Sequence, residues 1–344
     1  MNFGTWIFPI SPTPADDGAT IDGALREAEL AEEVGFHSVW LAEHHFDGAA
    51  AYADPVVFAA AIAARTSRVK IGFAVVESAL HHPARLAAQC SLLDHLSKGR
   101  LIVGIGRGSV ANHYEYRGFG VNLEMGFRAV NEMEELLVRA WTEENVVHKG
   151  EYWDIEFPIL RPQPYTKPHP KIIRAGISDG SIKAAAAACR PMLMGGVAAD
   201  GMRERLDLYR ATALGAGHTP SAVQAAIDEI WFTADALVAD THDEARALVD
   251  KHLAIEQDVI ANARMRFNPK EWVESDEGRK WLTKRTIEDG FIYGTPSEVT
   301  EKFAEIRDAG VKNLMLKVNI GNMPPEVYEH SIRLLGSEVL PKFA

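Results

Sequence analysis

The 344-residue sequence predicts an α/β fold, a (β/α)8 TIM barrel that forms a single domain over residues 1–344. Short apolar runs rich in Val and Ile alternate with longer segments of helical periodicity from one end of the chain to the other. This alternation is typical of a parallel sheet, and eight such units indicate a sheet that closes into a barrel. Barrels of this class reach this length as one domain. A doubly wound open sheet is the alternative that the same alternation leaves open.

The first half of the chain contains four predicted strands with a helix after each. A nearly continuous run of Val, Ile and Phe at 69–76 is typical of a buried strand. Gly35 is placed to end the first helix, and Pro83 is placed to begin the third. The predicted strands lie at 2–8, 38–42, 69–76 and 101–105. The predicted helices lie at 21–34, 54–66, 83–98 and 128–141.

The second half continues the pattern but contains two irregular segments. Residues 146–170 carry five prolines and a predicted hairpin at Lys149-Gly150, so we expect an insertion there. Residues 259–290 carry several basic residues without clear periodicity and are predicted as a long loop, a candidate lid. A capping box at 295–298 starts a further helix. The other strands are predicted at 171–175, 192–194, 228–233 and 313–318, with helices at 181–189, 242–258, 295–310 and 328–339.

Composition and charge exclude several classes of partner. Lys and Arg number 36 against 48 Asp and Glu, a formal net charge of −12, which argues against nucleic acid. Cys90 and Cys189 are too few for a disulfide framework and fit a reducing compartment. The N-terminus lacks the basic region of a signal peptide, and no apolar run approaches the roughly 18 residues that a membrane span requires. We therefore expect a cytoplasmic protein.

A cluster of titratable residues, Glu43-His44-His45, directly follows the second predicted strand. Active sites of parallel barrels lie at this end of the strands. A histidine there is suited to proton transfer or hydrogen bonding near neutral pH. A metal site is a second interpretation, but neighbouring residues in a strand point to opposite faces and make a poor ligand pair, so no metal is expected. A surface histidine beside a hydrogen-bonded core histidine is the structural alternative.

Groups suited to a phosphate follow the fourth and fifth predicted strands. The loop at 104–109 has three glycines, which allow the backbone to approach an anion, and Arg107 supplies a guanidinium. Ser178 and Ser181 lie where a helix begins, and such positions bind phosphate readily. Arg128, at the start of another helix, is a second candidate clamp. A glycine-permitted turn, ordinary N-capping and a solvated charge explain the same residues without a ligand.

Three segments of the sequence resemble the bacterial luciferase-like flavin monooxygenases. They are the second-strand segment FHSVWLAEHHF at 36–46, the stretch from His82-Pro83 through LLDHLSKGR to GIGRG at 82–108, and the segment from GTPSEV to AGV at 294–311. The matches occur in the family's order and at its spacing, from the first strand to the last helix. Together they are far more specific than any one of them.

The resemblance implies a (β/α)8 barrel with an insertion that uses molecular oxygen and reduced FMN from a separate NAD(P)H flavin reductase. In this family the reduced flavin forms a flavin hydroperoxide, which oxygenates a small organic molecule such as an aldehyde or a ketone. His44 matches the active-site histidine of the family. Ala74 and Val75 match the backbone that packs on the flavin ring, often through a non-prolyl cis peptide.

The resemblance also implies where the rest of the cofactor binds. Gly106 stands at the flavin, where the light-emitting enzymes have a cysteine, so light emission is not expected. Arg107, Arg128, Ser178 and Ser181 fall where the family holds the FMN phosphate.

Other interpretations remain open beside this one. A deazaflavin coenzyme would transfer hydride on the same fold without oxygen chemistry, and a flavin-binding protein would keep the fold without turnover. A metal-dependent hydrolase is a third alternative. The resemblance further implies a homodimer, for which the apolar helices near 56–64 and 86–93 are suited, and a mobile loop at 259–290. An apolar substrate is suggested by aromatic residues predicted near the pocket, namely Phe8, Phe46, Tyr114 and Trp231, although aromatic residues at strand ends as often pack inside a barrel.

Overall fold

Within residues 1–287 and 290–344, which the computed structural model of the chain describes, eight parallel strands close into a barrel. In chain order the strands are β1 Asn2–Ile7, β2 Ser38–Leu41, β3 Lys70–Phe73, β4 Val76–Glu77, β5 Leu101–Gly106, β6 Val146–Lys149, β7 Asp154–Phe157, β8 Lys171–Ala175, β9 Met192–Met194, β10 Trp231–Val238, β11 Ile292–Gly294 and β12 Asn313–Lys317. The α-helices are α1 Asp17–Val34, α2 Pro55–Arg65, α3 Pro83–Ser97, α4 His113–Gly118, α5 Leu123–Thr142, α6 Asp179–Ala187, α7 Ala199–Gly215, α8 Pro220–Ile227, α9 His242–Phe267, α10 Lys270–Glu274, α11 Asp276–Leu282, α12 Pro296–Asp308 and α13 Pro325–Leu334.

The strands of the barrel pair in the order β1, β2, β3, β5, β8, β9, β10 and β12, and β12 returns to β1. β4 pairs with the end of β5, and β11 pairs with the end of β10. The predicted (β/α)8 barrel is therefore confirmed. The antiparallel pair of β6 and β7 lies outside the barrel and confirms the insertion predicted at 146–170. None of the described helices is long and apolar enough to cross a membrane.

Helix ends predicted from glycine, proline and capping residues lie where they were expected. Gly35 caps the end of α1 with a φ of 96°, a left-handed conformation that glycine adopts without strain. Pro83 is the first residue of α3. The side chains of Thr295 and Glu298 each accept a hydrogen bond from the other residue's backbone N–H, which completes a capping box at the start of α12.

The segment at 259–290, predicted as a loop, is largely helical. α9 continues to Phe267, and α10 and α11 follow it, while positions 288 and 289 lie outside the described residues. Val259 and Ile260 pack against a small core cluster that contains Phe8, and this contact favours continuation of α9. The Ser275 hydroxyl accepts the Gly278 N–H at 3.0 Å and caps α11. Few buried contacts hold these helices, so their sequence shows no strong period.

Two predicted strands have different limits in the structure. The run at 69–76 is interrupted, because β3 ends at Phe73 and β4 begins at Val76. The strand predicted at 228–233 begins three residues later, as β10, because the preceding residues form the unpredicted helix α8. Asp228 caps the end of that helix.

A cluster around Trp40 fills the interior of the barrel. The fully buried Trp40 indole packs against Trp231 with ring centroids 5.0 Å apart and donates a 2.8 Å hydrogen bond to the Ser38 hydroxyl. The other buried members of the cluster are Ile102, Ile173, Leu193 and Met315. Gly4 and Gly72, on the strands either side, leave room for the indole. A Cβ on Gly4 would lie 2.7 Å from its Cδ1, and one on Gly72 would lie 2.4 Å from its Cε3.

We expect Gly72→Ala to destabilise the barrel by about 1–3 kcal/mol, because the added methyl group overlaps the Trp40 ring, which has no room to retreat. The free energy of unfolding from urea titrations measures this effect. Gly18→Ala is the matched control, since a Cβ at Gly18 in α1 meets nothing within 4 Å. Equal stability of the two variants would contradict the steric role of Gly72.

Candidate active site

Three buried carboxylates, Glu43, Glu77 and Glu115, lie at the carboxyl end of the barrel. Glu43 follows β2, Glu77 ends β4, and Glu115 lies in α4, which follows β5. Neighbouring strands bring these three segments together. Each carboxylate accepts hydrogen bonds from a histidine or from a backbone N–H, as buried carboxylates require.

Glu43 is the most fully hydrogen-bonded of the three carboxylates. One oxygen lies 2.9 Å from His45 Nε2 and 2.9 Å from His81 Nε2, and the other accepts the Glu77 backbone N–H at 2.7 Å. Burial alone would raise the pKa of Glu43, but the charge of His81 and these hydrogen bonds outweigh it and lower the pKa to about 2. Glu43 is therefore an anion that orients two imidazoles.

His44 is paired with the third carboxylate. Its Nδ1 lies 3.0 Å from Glu115 Oε1, and the same oxygen accepts the His45 backbone N–H at 2.9 Å. Burial would lower the pKa of His44, but the Glu115 carboxylate acts more strongly in the other direction and raises it to about 9. His44 is thus a charged imidazolium at neutral pH. Its Nε2 has no hydrogen-bond partner among the described residues, and Phe8 packs against the ring at 5.4 Å between centroids.

The two adjacent histidines contact different carboxylates, as expected for neighbouring residues that point apart. His44, Asp47 and Glu115 do place possible ligand atoms within 4.8 Å of one another. Asp47 already accepts the Tyr114 hydroxyl at 2.6 Å, and Glu115 Oε1 accepts the His45 N–H, while Glu115 Oε2 is buried without a hydrogen-bond partner among the described residues. A hydrogen-bond network is sufficient to explain the cluster.

A chain of contacts joins His44 to the helices that replace the predicted loop. The Asn112 amide nitrogen lies 3.3 Å from His44 Nδ1, which is a packing contact because both atoms are hydrogen-bond donors when His44 is charged. The Asn112 carbonyl oxygen accepts a 3.0 Å hydrogen bond from Arg264 Nε on α9. Arg264 Nη1 donates to the backbone oxygen of Trp281 at the end of α11, at 3.2 Å. The position of α9 and α11 is therefore coupled to the surroundings of the histidine.

Glu77 is the carboxylate with the fewest partners. One oxygen accepts the Ser109 N–H at 3.3 Å, and the other is buried without a hydrogen-bond partner among the described residues. Burial, and then the nearby charge of Glu115, raise the pKa of Glu77 well above its ordinary value. Burial therefore disfavours the ionised form of this carboxyl group, which lies beneath the glycine loop, where a Cβ on Gly108 would lie 2.5 Å from it.

Ala74 and Val75 lie between β3 and β4, and the peptide bond that joins them is cis. Both pack against the cluster around Trp40. Val75 also fills the space in front of Gly106, since a Cβ on that glycine would lie 2.6 Å from Val75 Cγ2. This contact supplies a physical reason for a glycine at position 106, because a larger side chain would displace Val75.

The structure places Arg107 and Arg128 near the same loop but in different surroundings. The Arg107 side chain is exposed, and its carbonyl oxygen accepts the hydroxyl of Tyr116. α5 begins against this loop, because a Cβ on Gly126 would lie 2.8 Å from the Arg107 oxygen. Arg128, two residues further on, forms an exposed 2.8 Å ion pair with Glu151 of the insertion. A ligand at Arg128 would compete with that carboxylate.

Ser178 and Ser181 lie together at the start of α6, with their hydroxyl oxygens 3.2 Å apart. Ser178 caps the helix by accepting the Ser181 N–H at 3.3 Å, which is the ordinary capping role that the sequence left open. Both side chains are accessible, and β8, which precedes them, pairs with β5, which precedes Arg107. The two loops therefore lie on neighbouring strands at the same end of the barrel.

A cavity of about 780 Å³ lies beside His44 and its carboxylates, between β10, β12 and helices α9 and α11. Trp6 and Phe8 form part of its wall, and Phe8 also contacts the His44 ring. Lys317 is buried in this wall, 2.7 Å from Glu256 and 3.2 Å from Asp235. Burial lowers the pKa of Lys317, but the two carboxylates outweigh it and raise the pKa.

The pocket residues predicted from sequence are only partly correct. Phe8 lines the cavity, and Tyr114 hydrogen-bonds to Asp47 beside His44. Trp231 lies in the interior of the barrel against Trp40, the packing role that the sequence left open, and Phe46 is 61% exposed and outside the lining of the cavity.

Sequence reasoning missed three residues that the structure places around His44. They are Glu115 and Asn112 after β5 and Arg264 on α9. Their segments were predicted as loops, and their contacts span 68 to 152 positions of the chain. The Tyr114–Glu115 pair just beyond the glycine loop was the available signal, because an acidic residue there follows a barrel strand.

Comparison with known sequences gives matches along most of the chain. A family model described as luciferase-like monooxygenase matches residues 1–313. Limonene 1,2-monooxygenase of Rhodococcus erythropolis is 33% identical over 166 residues, 48% of this chain and 42% of that protein. The alkanal monooxygenase alpha chain of the Kryptophanaron alfredi symbiont is 26% identical over 99% of this chain and 98% of that protein. The FMNH(2)-dependent dimethylsulfone monooxygenase of Pseudomonas putida is 26% identical over 93% of this chain and 87% of that protein.

Solved structures resemble the whole chain. A monooxygenase from Streptomyces bottropensis superposes with a TM-score of 0.83 at 30% identity, covering 100% of both chains. A coenzyme F420-dependent tetrahydromethanopterin reductase from Methanopyrus kandleri superposes with a TM-score of 0.72 at 19% identity, over 100% of this chain and 99% of that one. The second likeness concerns the fold alone.

We expect Glu115→Gln to lower the pKa of His44 from about 9, because burial remains while the carboxylate that raises the pKa most is removed. Nitrogen-detected NMR of labelled histidine measures this pKa directly. A raised folded-state pKa contributes stability that is complete below the unfolded pKa of about 6.5 and is lost as pH rises through about 9. The Glu115→Gln variant should therefore not lose this contribution to folding stability as the pH rises from about 6.5 to about 9.

Glu326→Gln, an exposed change on α13, is the matched control and should leave the His44 titration as it is. An unchanged midpoint in Glu115→Gln would contradict the assignment of the ion pair.

Proposed function

Because the chain belongs to the luciferase-like monooxygenase family, we propose that it uses reduced FMN and molecular oxygen to oxygenate a small organic substrate with an apolar skeleton. The resemblance found in the sequence is confirmed at the level of the family. The observation that carries the proposal is the charged His44, held by Glu115 at the mouth of the barrel beside Ala74, Val75 and the glycine loop.

His44 is suited to act at the reacting atoms. Its Nδ1 is engaged by Glu115, so Nε2 presents its N–H away from that carboxylate. A charged imidazole in this position donates a hydrogen bond, or a proton, to an oxygen atom where negative charge develops. Glu115 is a positioning residue, because it fixes the ring orientation and the protonation state through Nδ1.

The described residues fit an FMN molecule at this end of the barrel. Ala74 and Val75 present a partly accessible apolar surface on which a planar ring can lie, and Gly106 is buried behind Val75 and lets it keep that position. The exposed guanidinium of Arg107 and the hydroxyls of Ser178 and Ser181 lie at the ends of neighbouring strands and supply donors for a phosphate. Arg128 would also bind the phosphate if its ion pair with Glu151 opened. The bound cofactor would supply the electrons that activate oxygen.

The reduced cofactor has to come from outside the chain. We propose a separate NAD(P)H flavin reductase as its source, which the similarity to an FMNH(2)-dependent monooxygenase supports. Such a partner places the protein in the cytoplasm, where NAD(P)H is available. The substrate would enter the cavity beside His44, whose wall includes Trp6, Phe8 and Ile260.

Exposed apolar side chains support the homodimer that the resemblance implies. Val57 on α2 and Leu92 and Leu96 on α3 are 65%, 52% and 50% exposed. The two helices pack against each other, so these side chains lie on neighbouring elements at the outside of the barrel. Apolar side chains grouped in this way mark interaction surfaces.

A deazaflavin coenzyme on the same fold is the second candidate. The fold is compatible with it, because a coenzyme F420-dependent reductase has the same fold, and F420 is a deazaflavin that transfers hydride without activating oxygen. The cations and hydroxyls assigned to the FMN phosphate would suit its phosphate as well. The two candidates differ in whether oxygen reacts with the bound coenzyme.

We expect the purified protein, mixed anaerobically with reduced FMN and then with oxygenated buffer, to give a transient flavin absorbance that outlives the oxidation of free flavin. His44→Ala should still bind FMN but lower turnover of an identified substrate by about 100-fold or more, the usual contribution of a positioned acid. His330→Ala, at an exposed position on α13, is the control. Oxidation indistinguishable from that of free flavin would reject the oxygenase and favour the deazaflavin coenzyme.

We expect the protein to form a dimer that Leu92→Glu dissociates, because a carboxylate in an apolar contact is costly to bury. Light scattering coupled to gel filtration measures the molar mass. Leu214→Glu, an exposed leucine on α7 distant in sequence from these helices, is the matched control. A molar mass of one chain for the unmutated protein would reject the dimer.

A further inference from the structure

The cavity beside His44 contains more positive than negative charge, although the whole chain carries −12. Among the described residues its lining cations are Arg264, Lys280, Lys284, Arg285, Lys302 and Lys317. Its lining anions are Asp235, Glu256 and Glu305. An excess of one sign in a confined space with apolar walls selects ligands of the other sign.

Most of these charges are neutralised within the protein. Lys317 and Arg285 share Asp235 and Glu256, which makes a balanced group of two cations and two anions. Lys302 pairs with Glu305 one turn away on α12, at 3.0 Å. Lys284 pairs with Asp258 at 2.6 Å. None of these cations requires a ligand.

Arg264 and Lys280 are the two cations of the cavity lining that form no ion pair among the described residues. Neither has a carboxylate within 4.0 Å among the described residues. They share one wall, because Arg264 donates to the backbone oxygen of Trp281, the residue after Lys280. Arg264 is half-buried and stacks over the Trp281 ring at 5.3 Å. Burial lowers the pKa of Arg264, and Tyr114, Asp47 and Glu115 oppose this only from a distance.

We propose that Arg264 and Lys280 bind an anionic group of the substrate, so that the natural substrate is an organic acid with an apolar body, in the first instance a carboxylic acid. The substrate role rests on the oxygenase function proposed above. Nε and Nη1 of Arg264 already donate to Asn112 and Trp281, so its Nη2 is left to donate to a carboxylate. The partial burial of Arg264 strengthens such a charge-assisted hydrogen bond relative to one in water.

The same contacts set the distance between the acidic group and the reacting centre. One asparagine side chain, Asn112, separates Arg264 from His44. The apolar body would lie against Trp6 and Phe8, of which Phe8 also contacts the His44 ring. An acid anchored at Arg264 would therefore present a carbon a few bonds away to His44.

The phosphate of FMN is another source of an anion, and the experiment separates it from a substrate acid. Binding to the flavin-free protein is followed by tryptophan fluorescence, since Trp6 and Trp281 line the cavity. The probes are octanoate, cyclohexylacetate and 2-naphthylacetate, each compared with its primary amide, so that each pair differs in charge alone. FMN and riboflavin form a fourth pair, which differs by the phosphate.

We expect at least one acid to bind about tenfold more tightly than its amide. Arg264→Gln and Lys280→Gln should each remove most of that preference and leave amide binding and the FMN-to-riboflavin ratio unchanged. Arg264→Lys should retain part of it. Lys302→Gln, which removes the same charge from a paired lysine of the cavity, is the matched control and should behave as the unmutated protein.

Absence of an acid preference in all three pairs, or no saturable binding of any acid at millimolar concentration, would overturn the proposal. A loss of FMN affinity alone in the Arg264 and Lys280 variants would also overturn it, because the anion would then be the flavin phosphate. These measurements use neither reduced flavin nor oxygen. A failed oxygenase test with an intact acid preference would therefore reject the reaction and keep the binding site.

Discussion

The Trp40 indole occupies the centre of the barrel, and the location of the active site follows from it. Gly4 and Gly72 have no side chains at the level of the ring, so two neighbouring strands approach an aromatic residue that would otherwise not fit. The ring and its apolar neighbours close the interior of the barrel, as in a packed core. A ligand is therefore confined to the carboxyl end, where the chain continues from Trp40 to His44 within four residues.

Burial beneath that opening, together with unequal hydrogen bonding, shifts the pKa values of Glu43 and Glu77 in opposite directions. Glu43 has two histidines and a backbone N–H, so the pKa of its carboxyl group falls despite burial. Glu77 has one backbone N–H, and burial raises its pKa. An ionised group in a poorly solvated site requires compensation, and hydrogen bonds are distributed unequally among the three. The result is a charged imidazole at His44 close to a carboxyl group, Glu77, whose ionised form is disfavoured by burial.

The sequence was sufficient for the barrel and for part of the site, and physical reasons set the limit. His44 could be found because it directly follows a strand whose apolar run is unmistakable, and the glycine loop because glycine permits close backbone approach. Glu115 and Arg264 could not, because their partners lie 71 and 152 positions away and no local pattern encodes such contacts. Trp231 shows a different limit: from sequence alone, an aromatic residue at a strand end fits a pocket and a packed core equally well.

The net charge of the chain does not predict which small ligands the cavity prefers. A chain at −12 repels a polyanion, whose many phosphates sample the field of the whole surface. A small acid inside a cavity experiences mainly the charges that line it, because exposed charges beyond about 8 Å are screened at physiological salt. Asp235 and Glu256 are already committed to Lys317, so they do not offset Arg264. Selectivity for a small ligand therefore depends on which cations remain unpaired, a property of ion-pair geometry that summation over the sequence does not contain.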